Sequence, residues 1–181
     1  MGGDPQIDFN INTVINAQGG DTSYANKPGR RLFSAIRANR NSTVNLKETD
    51  QQYQIYGDII AGRGIEHTDK GGQVDIGGSG SIIKGDVLAG NTGEINLSLK
   101  DGALLEGRVD DYADASIKDN IVFRPDEFEI PVTEGGTVNM KINDSTWIAR
   151  HQSFVSSLEF GSDGGLVDMT KEENSSITID N

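Results

Sequence analysis

The sequence contains no cysteine, few aromatic residues and no long apolar run. The absence of cysteine excludes disulfides, iron–sulfur clusters and thiol catalysis. Because no apolar stretch approaches about 18 residues, no transmembrane helix is expected. Only six Phe, four Tyr and one Trp are present, which argues against a core built from bulky side chains. This composition suits a fold that buries thin rows of aliphatic residues.

Acidic residues dominate the charge, with 28 Asp and Glu against 16 Lys and Arg, so the net charge is −12. Such a balance disfavours nucleic acid as a partner. The stretch 27–40 is an exception, because it carries five basic residues and no acid. It could contact lipid headgroups, sulfated sugars or an acidic subunit, although a solvated surface stretch is the favoured interpretation. The first ten residues lack the basic and apolar regions of a secretory signal.

Glycine is abundant, with 23 residues, which argues against a helical bundle, and the sequence repeats itself. One pattern consists of Val or Ile, then Asn or Asp, then an aliphatic residue. Composition predicts roughly one chance occurrence. Five are present, at residues 44–46, 74–76, 95–97, 138–140 and 167–169. Alternation of apolar, polar and apolar residues is typical of a strand with one buried face.

A second pattern, aliphatic-x-Gly-x-aliphatic-x-Ala, follows the first. It occurs at 55–61 and 83–89, and a third copy at 105–111 lacks the Ala. The Gly follows the start of the first pattern by 13, 11 and 12 residues (44 to 57, 74 to 85, 95 to 107). Tandem units of roughly 20 to 30 residues, built from short strands and Gly-rich turns, predict a solenoid.

The repeat also predicts which residues stack on one another. A β-sandwich would leave the tandem units unexplained, and a leucine-rich horseshoe would need more than the nine Leu present. In a solenoid, two inward ladders are expected, with a glycine column between them on the same face, where a missing side chain lets the wall bend. The ladders are Ile55, Ile83, Leu105 and Ile59, Val87, Val109, and the glycines are Gly57, Gly85 and Gly107.

Residues 116–135 break this rhythm with two prolines and a charged middle. Proline does not fit a central strand ladder, so an irregular excursion or small hairpin against the solenoid is predicted. The rhythm returns in residues 136–181.

Four segments near the C-terminus follow an unusual order: S-T-W-x-A at 145–149, S-F-V-S-S-L at 153–158, G-G-L-V-D-M at 164–169 and S-S-I-T-I at 175–179. A stem-like run, G-D-V-L-A-G-N-T-G-E-I-N-L-S-L-K-D-G-A-L-L-E-G-R-V-D-D-Y, precedes them at 85–112. Together they resemble the passengers of bacterial autotransporters of the pertactin and AIDA type, including the C-terminal autochaperone region. The resemblance covers roughly residues 42–181, and Trp147 with its downstream spacing is its most specific part.

The resemblance implies a right-handed single-stranded parallel β-helix with stem coils at 42–115 and autochaperone-like coils at 136–181. Residues 1–41 match the coils weakly. The implied role is a non-enzymatic stem and folding template of an adhesin or virulence factor, exported through the bacterial outer membrane and then anchored at the cell surface or secreted. A folding and stacking role is implied for Trp147, Val155, Leu158 and Val167.

The resemblance also implies partners. The chain's own translocator barrel in the full-length protein is one, and a host surface ligand is another. The passenger fragment itself is not expected to insert into a membrane. Because an exposed terminal coil is an edge on which another chain can stack, a monomer or weak self-association is expected.

Two other functions stay open: a polysaccharide-active β-helix enzyme and a cytoskeletal β-helix polymer. An enzyme of that kind would use acids such as Asp110, Asp111 and Asp114 as general acid and base or as calcium ligands. A solvated corner turn is the favoured interpretation of this cluster.

No cofactor, metal ion or catalytic residue is expected. Asp58 and Asp86 occupy matching outward positions, and their stacked carboxylates could hold a cation, although screening by water and Arg108 is favoured. His67 and His151 have no partners at the spacing of zinc ligands.

Overall fold

The fold is known from a computed structural model that describes residues 5–17, 34–62, 70–112, 134–173 and 175–179. These residues form eighteen β-strands and no helix. The strands are β1 (Gln6–Asp8), β2 (Thr13–Asn16), β3 (Ser34–Asn39), β4 (Thr43–Leu46), β5 (Tyr53–Tyr56), β6 (Asp58–Gly62), β7 (Gln73–Ile76), β8 (Ile82–Lys84), β9 (Val87–Ala89), β10 (Glu94–Lys100), β11 (Leu104–Gly107), β12 (Val109–Asp110), β13 (Thr137–Asn143), β14 (Thr146–Ala149), β15 (Gln152–Val155), β16 (Ser157–Phe160), β17 (Leu166–Asp168) and β18 (Ser176–Ile179).

Each strand from β1 to β15 pairs in parallel with the strand three positions later in the chain. This gives three six-stranded sheets, which we name A (from β1 to β16), B (from β2 to β17) and C (from β3 to β18). Three successive strands therefore make one turn of a solenoid, and the turns are numbered rung 1 (β1–β3) to rung 6 (β16–β18). The predicted parallel β-helix is confirmed.

The core is a set of aliphatic columns that run along the solenoid axis. Ile55, Ile83 and Leu105 stack in register in sheet B. Residues 59, 87 and 109 do so in sheet C. All six side chains of these two predicted ladders are fully buried. Parallel pairing in register stacks aliphatic residues of one rung on aliphatic residues of the next. The buried surface is therefore continuous along the solenoid.

The predicted glycine column lies at the corner between sheets B and C. Gly57 and Gly85 occupy bends with φ of +126° and +155°, a region that side-chain-bearing residues adopt at a cost. A Cβ on Gly107 would overlap the carbonyl oxygen of Gly85, and a Cβ on Gly85 would overlap that of Gly57. The missing side chains let successive corners approach to within one rung spacing.

Two features of the fold differ from the repeat analysis. Rung 1 lies within residues 1–41, where β1 pairs Ile7 with Val44 and Asp8 with Asn45. It repeats the first pattern with Phe9 in the aliphatic position. The occurrence at 167–169 also differs from the other four, because β17 belongs to sheet B rather than sheet A.

Some predicted segments lie partly or wholly outside the described residues. Of the excursion at 116–135, only Glu134 and Gly135 are described. Their carbonyl oxygens accept hydrogen bonds from the amides of Asn91 and Thr92, at 2.8 and 3.0 Å. Of the basic stretch 27–40, the part from Ser34 to Asn39 forms β3, and residues 27–33 are not described.

Gly107→Ala is expected to lower the free energy of unfolding by about 3 kcal/mol, because the new methyl group forces neighbouring corners apart. Gly77→Ala is the matched control. Its Cβ would lie 3.5 Å from Lys47 Cα, an ordinary contact, and neither glycine has a positive φ. Urea unfolding of both variants measures the difference. Equal stability of the two would contradict the close stacking of the corners.

Candidate functional site

Trp147, the most specific residue of the resemblance, lies fully buried in β14 of rung 5. It continues the inward ladder of sheet B, between Leu105 of rung 4 and Val167 of rung 6. Its indole Nε1 donates a hydrogen bond of 3.1 Å to the carbonyl oxygen of Gly107. A buried indole N–H needs such an acceptor. The ring therefore joins rung 5 to rung 4 both by packing and by a hydrogen bond.

The other three residues singled out near the C-terminus also face the core. Val155 is fully buried in β15 and pairs with Ile179 of rung 6. Leu158 in β16 and Val167 in β17 are partly buried and pack against the core. The buried faces of rung 6 therefore pack on rung 5.

Asp58, Asp86 and Arg108 occupy the same position in rungs 2, 3 and 4. The Oδ1 atom of Asp58 accepts the backbone N–H of Asp86 at 2.9 Å. The Oδ1 atom of Asp86 accepts the N–H of Arg108 at 2.8 Å, and the Arg108 Nε lies 4.0 Å from Asp86 Oδ2. Charge-assisted bonds to backbone amides are strong. They account for the stacking of these carboxylates.

The solvated corner turn expected for Asp110 and Asp111 is wrong, because their exposed fractions are 2% and 0%. Asp110 Oδ1 accepts the N–H of Tyr112 at 2.8 Å, and its Oδ2 lies 3.7 Å from Arg108 Nη1. Asp111 Oδ2 accepts the hydroxyl of Ser156 at 2.6 Å. The stacking of rung 5 on rung 4 covers both carboxyl groups and makes them structural. Asp114 lies outside the described residues.

A network of charged side chains crosses rungs 3 to 6 beside sheet B. Glu106 binds Arg150 Nη2 at 2.5 Å through Oε1 and Lys84 Nζ at 3.6 Å through Oε2. Arg150 Nη1 lies 3.7 Å from Glu172 Oε1, and Glu172 Oε2 lies 2.9 Å from His151 Nδ1. The hydrogen bond from Arg150 lowers the pKa of Glu106, and the same bond raises the pKa of Arg150.

A polar ladder follows the outer face of sheet A. The middle residues of the first four occurrences of the repeat pattern stack in register there, with Asp8 and Ser157 at the two ends. Its hydrogen bonds run from Asn45 Nδ2 to Asp8 Oδ1 (2.6 Å), from Asn96 Nδ2 to Asp75 Oδ1 (2.8 Å), from Asn139 Nδ2 to Asn96 Oδ1 (3.0 Å) and from Ser157 Oγ to Asn139 Oδ1 (2.8 Å). The bond from Asn45 lowers the pKa of Asp8. The ladder has one gap, between Asn45 and Asp75.

Sequence reasoning missed the charge network and the polar ladder. The ladder did leave a signal, since the repeat pattern itself holds Asn or Asp in its middle position. The charge network left none, because its paired members lie 21 to 44 residues apart in segments of different length. Among the residues that the structure describes, no group of three or more His, Asp or Glu is placed to hold a metal ion. No helix in this part of the chain is long and apolar enough to span a membrane.

Comparison with known proteins gives no family assignment. No protein-family model matches the chain, and the searches of curated proteins and of solved structures return no match.

Glu106→Gln is expected to lower the free energy of unfolding by about 1 kcal/mol at neutral pH, the order of a hydrogen-bonded surface ion pair. Folding lowers the pKa of Glu106 below its value of 4.5 in the unfolded chain. The stabilisation by its carboxylate is therefore fully present above pH 4.5 and is lost as the pH falls through the pKa of the folded protein. Urea unfolding over a pH series should show the two proteins converging in acid. Glu159→Gln, whose carboxylate forms no ion pair among the described residues, is the control. A pH-independent deficit in Glu106→Gln would contradict the assigned charge pairing.

Proposed function

We propose that this chain is the structural stem and folding template of an exported bacterial cell-surface protein, of the autotransporter passenger type and with an adhesive role. Its partners are its own translocator barrel in the full-length protein and a host surface ligand. The support is the β-helix together with the order of the C-terminal motifs.

The single observation that carries the template role is the position of Trp147. Its indole is the largest fully buried side chain among the described residues, and it bonds to the rung before its own. Stacking a coil requires closing a loop of about 20 residues before any contact forms. A rung held together by a bulky, hydrogen-bonded side chain offers a ready surface for the next coil.

The strand ladder between rungs 4 and 5 supports the same role. β10 and β13 pair over seven residues, from Glu94 with Thr137 to Lys100 with Asn143. No other ladder in the described part of the chain is as long. The stem therefore has its most extensive strand pairing at the junction with the C-terminal coils, where a template would act.

The template role predicts that a mutation in rung 5 slows folding, whereas an equally buried mutation in rung 2 mainly speeds unfolding. Trp147→Leu and Ile55→Ala test this, because both residues belong to the same inward ladder and both are fully buried. Each is expected to cost about 2 to 4 kcal/mol. Stopped-flow circular dichroism after dilution from urea measures both rates.

Removal of residues 136–181 is the second arm of this experiment. The truncated stem is expected to regain little β-structure under conditions in which the intact chain refolds cooperatively. If the stem refolds equally well alone, or if Trp147→Leu changes only the unfolding rate, the template role is refuted.

A further inference from the structure

A trough of about 370 Å³ lies on the outer face of sheet A. One outward column passes through it from rung 2 to rung 6: Lys47, Gly77, Ser98, Lys141 and Glu159. Its two smallest members, Gly77 and Ser98, lie in rungs 3 and 4, so the surface is hollow there. Lys47 and Lys141 flank the hollow, three rung intervals or about 14 Å apart, and Glu159 follows Lys141 on rung 6.

The floor of the trough is the polar ladder of Asp75, Asn96, Asn139 and Ser157. Their mutual hydrogen bonds hold these side chains in one arrangement before any ligand arrives. Two donors are left over. The Asn139 amide has a second N–H beyond the one used by Asn96, and the Ser98 hydroxyl forms no hydrogen bond within the described residues. The floor can therefore hydrogen-bond a ligand without rearranging.

The lining of the trough carries three lysines against two carboxylates, Asp75 and Glu159, and Asp75 already pairs with Lys47 at 3.6 Å. Lys100 and Lys141 are the other two lysines, and neither forms an ion pair with any described residue. Lys141 lies beside Ser98 on the next rung, and Lys100 follows Ser98 by two residues on the same strand, so the two lysines are diagonal neighbours. Like charges on neighbouring side chains of one sheet face repel each other. An anion bound between them would remove that repulsion.

Two classes of partner fit this face poorly. β7, β10 and β13 already pair on both sides, so a peptide cannot add to sheet A here as an extra strand. Nucleic acid needs many phosphates neutralised at once, which two or three lysines on a chain of net charge −12 do not supply. The side chains suit a ligand rich in hydroxyl groups with widely spaced negative charges.

We propose that the trough binds an acidic oligosaccharide that carries carboxylate groups. Lys100 and Lys141 bind a carboxylate, while Ser98 and Asn139 hydrogen-bond the sugar hydroxyls. This proposal goes beyond the stem and template role and does not rest on it, because a β-helix with any function would display the same face.

Calorimetric titration with oligogalacturonate at low salt tests the proposal. The Lys100→Gln/Lys141→Gln variant is expected to bind about tenfold more weakly, the order expected for loss of a charge-assisted hydrogen bond. The matched control, Lys84→Gln/Lys171→Gln, removes the same charge outside the trough and should bind like the original protein. Gly77→Leu, whose Cβ makes only ordinary contacts with Lys47, places its side chain in the hollow and should weaken binding as well. Thermal unfolding verifies that each variant is folded.

Four results would overturn the proposal. They are no binding of oligogalacturonate by the unaltered protein, equal weakening in the two double variants, undiminished binding by Gly77→Leu, and equally tight binding of a neutral cello-oligosaccharide or of an acidic peptide.

Discussion

In-register stacking of parallel strands is the constraint on which the rest of this structure depends. Each residue lies one strand spacing, about 4.8 Å, from its counterpart in the next rung. The side chains of one column must therefore be able to contact each other favourably at this distance. Aliphatic side chains do so by packing, as Ile55 and Ile83 show. Glycine meets this requirement at the corner, because the backbones of successive rungs can contact each other directly there. Polar residues meet it only when each side chain donates a hydrogen bond to its neighbour, as Asn139 does to Asn96.

The same constraint bears on the template role that we propose for the C-terminal coils. A rung is stable only when a neighbour covers its edge, and the chain must first form one such pair. Trp147 supplies burial and a hydrogen bond across the boundary between rungs 4 and 5. The burial of Asp110 and Asp111 follows from the same contact, since stacking of rung 5 covers the end of rung 4 and the Ser156 hydroxyl bonds Asp111.

The repeat made much of this fold predictable. The identical spacing within the three copies of the second pattern predicted the ladders through Ile83 and Val87 and the position of Gly85, because parallel stacking converts sequence periodicity directly into contacts. Residues 1–41 matched the coils only weakly in the sequence, because Phe9 breaks the aliphatic pattern and no second pattern follows it. The burial of Asp111 and the trough beside Ser98 depend on contacts between segments separated by irregular turns, which no local pattern encodes.

Pulsed hydrogen exchange during refolding tests the central claim, that stacking begins at the C-terminal coils and proceeds toward rung 1. The amides of β10 and β13, and those around Trp147, should gain protection first, followed by β7 and then β4. Protection of β4 to β6 before β13 to β15, or simultaneous protection of all rungs, would contradict the account.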